Sequence, residues 1–572
     1  MNFKQEIIAL LAKETKLSDE ELTNLISIPP DPKLGDYAFP CFKLGKNAKE
    51  EAEKLKERLK LPEFVSKAEV AGPYLNFFIK HNTLAKATLT TIYKEAKHYG
   101  KPKGFKGKRI VIEYCGPNTN KPLHLGHLRN MALGNAMCRI LSFAGNEVHP
   151  VNIINDRGIH ICQSMLAYQK WGHEKEPDKK GDHFVGDFYV LFAKKAKEDG
   201  KTAEALKNEA MELLLKWERH DHETRALWSK MNRWVLDGFA QTYKRFGISF
   251  EKEYAESAYY EKGKELVQEG VKKRIFQKDP ANGAVIAPLQ QHGIPDKVLL
   301  RGDETSIYIT QDMYLATIRY RDFKFQQMIY VVASEQKLHF QQLFRILEML
   351  GLKYAQNLYH LSYGLVNLPS GRMKSREGTV VDADDVLDEV SELAAAEVKK
   401  RHPHLSKDEV QKRADQISLA AIKFYMLHTD AARDMAYNPE ESLSFEGETG
   451  PYLQYTHVRA CSILRKATKE YHLAAQYPVN FELFALQEEL AIVKLLALFP
   501  ETVLKTAETY KPHHLAQYLI TLSQAFNEFY HQCPVLSEEK NHTKARLLLV
   551  DGVRQVLENG LNLLGIEAPQ EM

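Results

Sequence analysis

A chain of 572 residues is too long for one ordinary domain, and long enough to bury its cores without disulfide or metal staples. Its 44% hydrophobic and 27% charged residues fit a soluble globular protein, and no stretch approaches the roughly 18 apolar residues of a membrane span. Lys and Arg (78) nearly balance Asp and Glu (75), so the net charge of +3 does not by itself argue for nucleic acid, and any RNA-binding face must come from local clustering.

Three blocks are predicted along the chain, with boundaries at 1–105, 106–385 and 386–572. In the first, Phe3 to Lys16 carries short apolar runs broken by charges, which predicts an amphipathic helix and not a signal peptide. A turn-rich stretch around Pro29-Pro30-Asp31-Pro32 precedes a charged helix over Asn47 to Lys60. Val70 to Ile79, rich in β-formers and aromatics, reads as a strand, so this block is α+β. It ends in the linker-like His98-Tyr99-Gly100-Lys101-Pro102-Lys103-Gly104. The basic run around it (Lys94, Lys97, Lys101, Lys103, Lys106, Lys108, Arg109) reads equally as a solvated linker or as a strap on RNA phosphates.

The second block opens on Arg109–Tyr114, a buried strand, followed by a loop and a helix from near Leu125. Val148 to Ile154, Ala284 to Ile286, Ile329 to Val332 and Tyr359 to Tyr363 are further strand candidates with helical patterns between them. That alternation predicts an α/β fold with a parallel sheet. The charged, helical interval 163–245 reads as an insertion. In the third block apolar residues recur at helical spacing over Gln416 to Leu427, Tyr452 to Arg465, Leu486 to Leu498 and Leu515 to Tyr530, which predicts an α-helical bundle. The six cysteines form no C-x-x-C pair, and their wide spacing favours free thiols in a reducing, cytoplasmic setting.

The chemistry concentrates after the first strand of the second block, in Gly116-Pro117-Asn118-Thr119-Asn120-Lys121-Pro122-Leu123-His124-Leu125-Gly126-His127-Leu128-Arg129. Ligands of doubly wound sheets sit at the carboxyl ends of strands, and a helix N-terminus there offers free N–H groups to a triphosphate. His124 and His127, three apart, share a face of the first turn and can both donate to phosphate, while Gly126 lets a flat adenine approach the backbone. Zinc would need a third ligand that the spacing does not supply, and no metal site is expected.

His124-Leu125-Gly126-His127 resembles the His-x-Gly-His signature of class I aminoacyl-tRNA synthetases, and the longer string from Gly116 to Arg129 resembles arginyl-tRNA synthetases in particular. The resemblance spans nearly the whole chain. Gly35-Asp36-Tyr37-Ala38 and Ala71-Gly72-Pro73-Tyr74-Leu75-Asn76-Phe77 resemble the family's N-terminal domain, and Gly450–Tyr455 and Gln524–Tyr530 its helical C-terminal domain. It implies a class I, Rossmann-type catalytic domain, ATP as substrate with Mg2+, and L-arginine and its tRNA as the other substrates. The implied reaction runs through an arginyl-adenylate to the 2′-hydroxyl of the terminal adenosine. A monomer is expected, with no membrane partner.

The resemblance also implies site residues. The second class I signature, Lys-Met-Ser-Lys-Ser, has its counterpart in Gly371-Arg372-Met373-Lys374-Ser375-Arg376-Glu377-Gly378, where Ser375 stands in place of the second lysine. Lys121 matches the lysine thought to compensate in arginyl enzymes, and Arg372, Lys374 and Arg376 can still neutralise the leaving pyrophosphate; Met373 and Ser375 are expected at ATP. Tyr308 and Asp312, four apart, and Glu256 match residues that hold the guanidinium; Asn118 and Gln336 match residues near the α-amino group. Taken singly, Asp312 reads as well as a helix cap, Tyr308 as a core aromatic and Glu256 as a surface acid. The implied N-terminal domain touches the tRNA elbow and the helical domain the anticodon, where Tyr452, Tyr455 and Arg459 serve either as stacking platforms or as core. Arginyl enzymes are similar to a small subgroup that activates its amino acid only with tRNA bound.

Overall fold

The computed structural model of the chain describes residues 3–29, 31–102, 107–198, 200–303, 305, 307–367, 381–537 and 539–572. The 371–378 segment, with Arg372, Met373, Lys374, Ser375 and Arg376, lies outside the described residues.

In the N-terminal part, β1 (Tyr37–Pro40), β2 (Val65–Ala71) and β3 (Tyr74–Ile79) form an antiparallel sheet in the order β1-β3-β2. The single strand expected over Val70 to Ile79 is therefore a hairpin. Gly72, at φ 58°, takes the left-handed conformation that reverses the chain before Pro73, a turn that β-propensity alone does not reveal. The charged helix is Ala48–Arg58, with the Asn47 side chain accepting the Glu50 N–H at its start.

Next in the chain come β4 (Arg109–Glu113), β5 (Glu147–Ile154) and β6 (Lys252–Ala255). The short strands β7 (Gln277–Lys278), β8 (Val285–Ala287) and β9 (Lys297–Leu300) follow, and then β10 (Gln327–Ala333) and β11 (Leu358–Tyr363). Five of these make one parallel sheet in the order β11-β10-β4-β5-β6. The strand expected over Ala284 to Ile286 is β8, and it belongs not to that sheet but to a separate antiparallel one with β7 and β9. The fifth parallel strand is β6, which the sequence reading missed: four residues, two of them exposed charges at the sheet edge, carry almost no apolar signal.

The sheet is covered on both faces, as parallel sheets are. Ile110 and Ile112 of β4 and Ile329 and Val331 of β10 point into one core, whereas Val111, Met328 and Tyr330 point into the other. The chain moves from β4 outward to β5 and β6, then returns to the far side for β10 and β11. The order reverses between β4 and β10, and the crevice at the carboxyl ends of those two strands is where doubly wound sheets bind ligands. The helix Leu125–Phe143 leaves β4 at that crevice, and helices Ile159–Trp171, Gly181–Lys195, Gly200–Glu218 and His222–Phe246 lie between β5 and β6.

β12 (Val366–Asn367) pairs with β13 (Met435–Ala436), and from Ala383 the described chain is otherwise mainly helical. Three predicted helical segments fall inside Lys407–Leu427, Gly450–Tyr471 and His513–Gln532; the fourth, Leu486 to Leu498, lies in Gln487–Thr509 with Leu486 as its N-cap, and Lys540–Leu563 completes the bundle. Among the described residues, no helix is long and apolar enough to cross a membrane, and the six cysteines are free thiols.

Candidate functional site

The loop between β4 and its helix is held in a conformation that side chains rarely choose. Cys115 sits at φ 80° and Gly116 at φ 63°. Asn130 accepts the Cys115 N–H through Oδ1 at 2.6 Å and donates to the Val331 carbonyl of β10 at 2.8 Å. Asn152 Oδ1 accepts the Gly116 N–H at 2.9 Å, and Asn155 donates to the carbonyls of Gly116 and Pro117. Three asparagines thus satisfy a backbone that neither helix nor sheet can satisfy. Sequence reasoning missed them, since their partners lie on other elements. Asn118, exposed, pairs its backbone with Asn155 beyond β5.

At the helix start, His124 is the N-cap. Its Nδ1 accepts the Gly126 N–H at 3.1 Å, and His127 Nδ1 accepts the His124 N–H at 3.1 Å. A ring nitrogen that accepts carries no proton, so each neutral imidazole holds its hydrogen on Nε2. Burial keeps both rings neutral: His124 is lowered to about 4, with Lys121 adding repulsion, and His127 lies well below the usual histidine range. Two Nε2–H donors therefore stand side by side, their rings 3.9 Å apart, at the positive end of a helix. Packing alone gives Gly126 a reason to be glycine: a Cβ there would lie 3.0 Å from the His124 ring and disturb the cap. Lys121, half-buried, has its ammonium disfavoured by burial, so an anion that pairs with it removes a standing penalty.

The cap is bracketed from outside. Leu125 N–H donates to the Val381 carbonyl at 2.8 Å and Ala383 N–H to the Leu123 carbonyl at 2.9 Å, which lays residues 381–383 against His124. Asp384 of the following helix, Ala383–Arg401, meets Lys180 Nζ at 2.6 Å and His183 Nε2 at 2.9 Å, and Thr242 Oγ1 at 3.1 Å. Asp182, fully buried, takes the same lysine at 2.7 Å. His183 and Lys180 hold the Asp384 carboxyl near 2, against the burial that would raise it. The lysine is the cation of this Asp182–His183–Asp384 cluster, and the cluster clamps the bracket to helices Gly181–Lys195 and His222–Phe246.

Across the crevice, Tyr308 and Asp312 occupy successive turns of the helix Tyr308–Phe323, Tyr308 74% exposed and Asp312 half-buried. Asp312 Oδ2 lies 2.7 Å from His339 Nε2. Glu256, far from a surface acid, is buried in the turn after β6, where Asp156 accepts the Ser257 N–H at 2.8 Å and hydroxyl at 2.6 Å. Arg157 Nη1 stands 3.7 Å from Glu256 and Nη2 is 2.5 Å from Glu218, with its guanidinium over the Tyr260 ring at 4.3 Å. Burial nonetheless pushes the Glu256 carboxyl up to about 7; Arg157 opposes the rise, and Asp156 and Asp312 add to it. The Glu256 carboxyl thus feels the charge of Asp312 as well as that of Asp156. Gln336, exposed, caps the helix Lys337–Met349 at the end of β10. Arg157, Asp156, Ser257 and His339 carried no sequence signal, because each acts through a partner distant in the chain.

In the helical bundle Tyr452, Tyr455 and Arg459 share one half-exposed patch. Arg459 donates to Asn527 at 2.6 Å and to the Tyr455 hydroxyl at 3.2 Å, and lies over the rings of Tyr455 and Tyr530. Asn527 donates to the Tyr452 hydroxyl at 2.8 Å. Asn527 and Tyr530 extend the patch beyond the three residues singled out from sequence.

Three family descriptions match the chain: "Arginyl tRNA synthetase N terminal domain" over residues 1–79, "tRNA synthetases class I (R), catalytic domain" over 88–438, and "DALR anticodon binding domain" over 453–572. The chain is 44% identical over 570 residues to the arginine–tRNA ligase of Treponema denticola, covering 97% of this chain and 96% of that relative. The solved arginyl-tRNA synthetase of Thermus thermophilus superposes with a TM-score of 0.83 at 30% identity, over 99% of each chain. That of Plasmodium falciparum gives 0.77 at 20% identity, over 96% of this chain and 94% of the other, and shares the fold.

Proposed function

The chain belongs to the arginyl-tRNA synthetases, class I enzymes that join arginine to tRNA with ATP, and from that premise we propose how its residues divide the work. MgATP binds along Leu123–Arg129, with the adenine over Gly126 and the phosphates on the Nε2–H groups of His124 and His127. Lys121 supplies the cation that Ser375 does not, and Arg372, Lys374 and Arg376 receive pyrophosphate, with Met373 and Ser375 beside ATP. Arginine lies across the crevice, its guanidinium on Asp312, Glu256 and Tyr308, its amino group near Asn118 and Gln336.

The arginine carboxylate attacks the α-phosphorus in line; a P–O bond forms as the bond to pyrophosphate breaks. The 2′-hydroxyl of the terminal adenosine then attacks the adenylate carbonyl and AMP leaves. No enzyme nucleophile takes part: the residues orient the reactants and stabilise charge that grows on the phosphates. Neutral imidazole donors suit this, because they bond the developing oxyanions without first being desolvated as ions.

We further propose that residues 1–105 contact the tRNA elbow, that 106–385 with the insertion 163–245 carry catalysis, and that 386–572 read the anticodon through Tyr452, Tyr455 and Arg459. The protein acts as a cytoplasmic monomer. One observation supports the reading above others: two histidines whose Nδ1 atoms are both consumed by the backbone, leaving two Nε2–H donors at the helix start beside the sheet's switch point. ATP–pyrophosphate exchange with each amino acid, with and without tRNA, tests it. Exchange is expected with arginine alone among the amino acids and only when tRNA is present; exchange with another amino acid ends the pocket assignment.

A further inference from the structure

Asp312 does not wait for its ligand as a lone carboxylate. His339, in the first turn of Lys337–Met349, places Nε2 2.7 Å from Asp312 Oδ2, and among the described residues no other side chain bonds this carboxylate. Both side chains are only partly exposed, 18% for His339 and 28% for Asp312. The histidine stands three residues after Gln336, at the end of β10. It therefore ties the helix that carries Asp312 to the turn that carries Gln336, the two ends of the space assigned to arginine. Its neighbour Phe340 packs its ring against His360, whose Nε2 donates to the Val332 carbonyl at 2.9 Å, so the turn is fixed from below as well.

A guanidinium is recognised by a fork, and the fork works only if the carboxylate plane is set before the ligand arrives. An aspartate on a helix turns about two torsions, and ordering it during binding weakens the complex. A donor on Oδ2 removes that freedom and leaves the second oxygen for the ligand.

We propose that His339 is a positioning residue of the arginine pocket, holding the Asp312 carboxylate in the plane that receives the guanidinium. The inference rests on the assignment of Asp312 to that pocket. His339 touches no reacting atom, and its contribution belongs to arginine binding rather than to phosphoryl transfer.

Steady-state charging of tRNA by the full-length enzyme tests this with His339→Ala, His339→Gln, Asp312→Ala and the double variant His339→Ala/Asp312→Ala. His339→Ala is expected to raise KM for arginine about ten- to a hundredfold, the loss of a hydrogen bond to a charged group, with KM for ATP and tRNA and kcat nearly unchanged. His339→Gln, whose amide can donate from a similar reach, recovers most of the affinity. In the Asp312→Ala background the histidine change adds nothing, because the group it positions is gone. The inference is overturned if His339→Ala leaves the arginine KM alone, if it moves the ATP KM as much, or if its effect persists in full without Asp312. Should His339→Ala not fold, His339→Asn, too short to reach Oδ2, carries the same expectation and the same refutation. If Asp312→Ala itself leaves the arginine KM unchanged, the pocket assignment falls first and this inference with it.

Discussion

In the proposed arginine pocket, Glu256 carries below pH about 7 a proton that arginine must displace. Burial raises its carboxyl to about 7, Arg157 pulling it down and Asp156 and Asp312 pushing it up. A guanidinium adds a second positive neighbour and favours the ionised form, so arginine binding releases a proton wherever the unliganded carboxyl is still protonated. The sign follows: above about 7 the arginine KM is flat, and below it KM climbs, by up to about tenfold per unit. The same raised value makes the ionised carboxyl costly in the unliganded fold, so its stability contribution is present at low pH and fades as pH rises through about 7. Kinetics of Glu256→Gln check this: the variant keeps a high but pH-independent arginine KM, and a slope that survives the substitution assigns the titration elsewhere. Glu256 is legible in sequence only through the family resemblance. Its burial and its pairing with Arg157 are not, because no local periodicity records a contact between a strand end and a later turn.

The helix Gly181–Lys195 touches the proposed nucleotide loop from two sides, which makes it more than filling between strands. Its Lys180–His183 end grips Asp384 and so the bracket on His124, and at Gly186 a Cβ would meet Pro122 Cδ at 2.7 Å and Lys121 Cα at 3.6 Å. Gly186→Ala improves intrinsic helix propensity by about 1 kcal/mol. It also overpacks a contact at a cost of about 1–3 kcal/mol, and Pro122 relieves it by moving Lys121. Melting temperature is expected to change little, while arginine- and tRNA-dependent pyrophosphate exchange falls roughly ten- to a hundredfold, as a displacement near 1 Å can cause. Exchange at the parent rate would mean that the helix does not set the position of Lys121. The central parallel strands β4 and β10 announce themselves as apolar runs because both their faces are buried, while β5 and β11 show through their β-formers and aromatics alone. β6 does not, being short, charged and at the edge, and β8 misleads because β-propensity marks a strand without naming its sheet.

The whole molecule depends on how its N-terminal part seats on the helical bundle, a relation between residues some four hundred positions apart that sequence patterns do not carry. Ala96 takes φ 46°, an unfavourable backbone for alanine, and the chain then turns through Tyr99 and Gly100. Asn559 of the Lys540–Leu563 helix donates to the carbonyls of Ala96 at 3.1 Å and Tyr99 at 3.2 Å, while the Tyr99 hydroxyl donates to Leu496 at 2.8 Å and its ring stacks on Phe499. Gly100 is pressed so closely on Phe499 that a Cβ would stand 2.5 Å from that ring. Lys494 reaches Asp36 at 2.8 Å on the same side, and Asp36 accepts the Ile79 N–H at the end of β3, so the small sheet is tied to the bundle as well. Asn559→Ala strips the buried Tyr99 carbonyl of its donor, at about 1–3 kcal/mol, and leaves the Ala96 carbonyl only the Tyr99 N–H at 2.9 Å. The seam should loosen ahead of global unfolding, because its hydrogen bonds are lost while the apolar residues on its two sides stay packed in one continuous core. Hydrogen exchange is therefore expected to quicken over residues 81–100 and 487–509, with kcat/KM for tRNA falling about tenfold as the two parts proposed to contact tRNA lose their fixed separation. The arginine KM, which the proposed pocket of Asp312 and Glu256 would set across the crevice, is expected to hold. If exchange at the seam stays slow, Asn559 does not secure it; if the arginine KM shifts as far as that for tRNA, the seam and the pocket are one cooperative unit and not two.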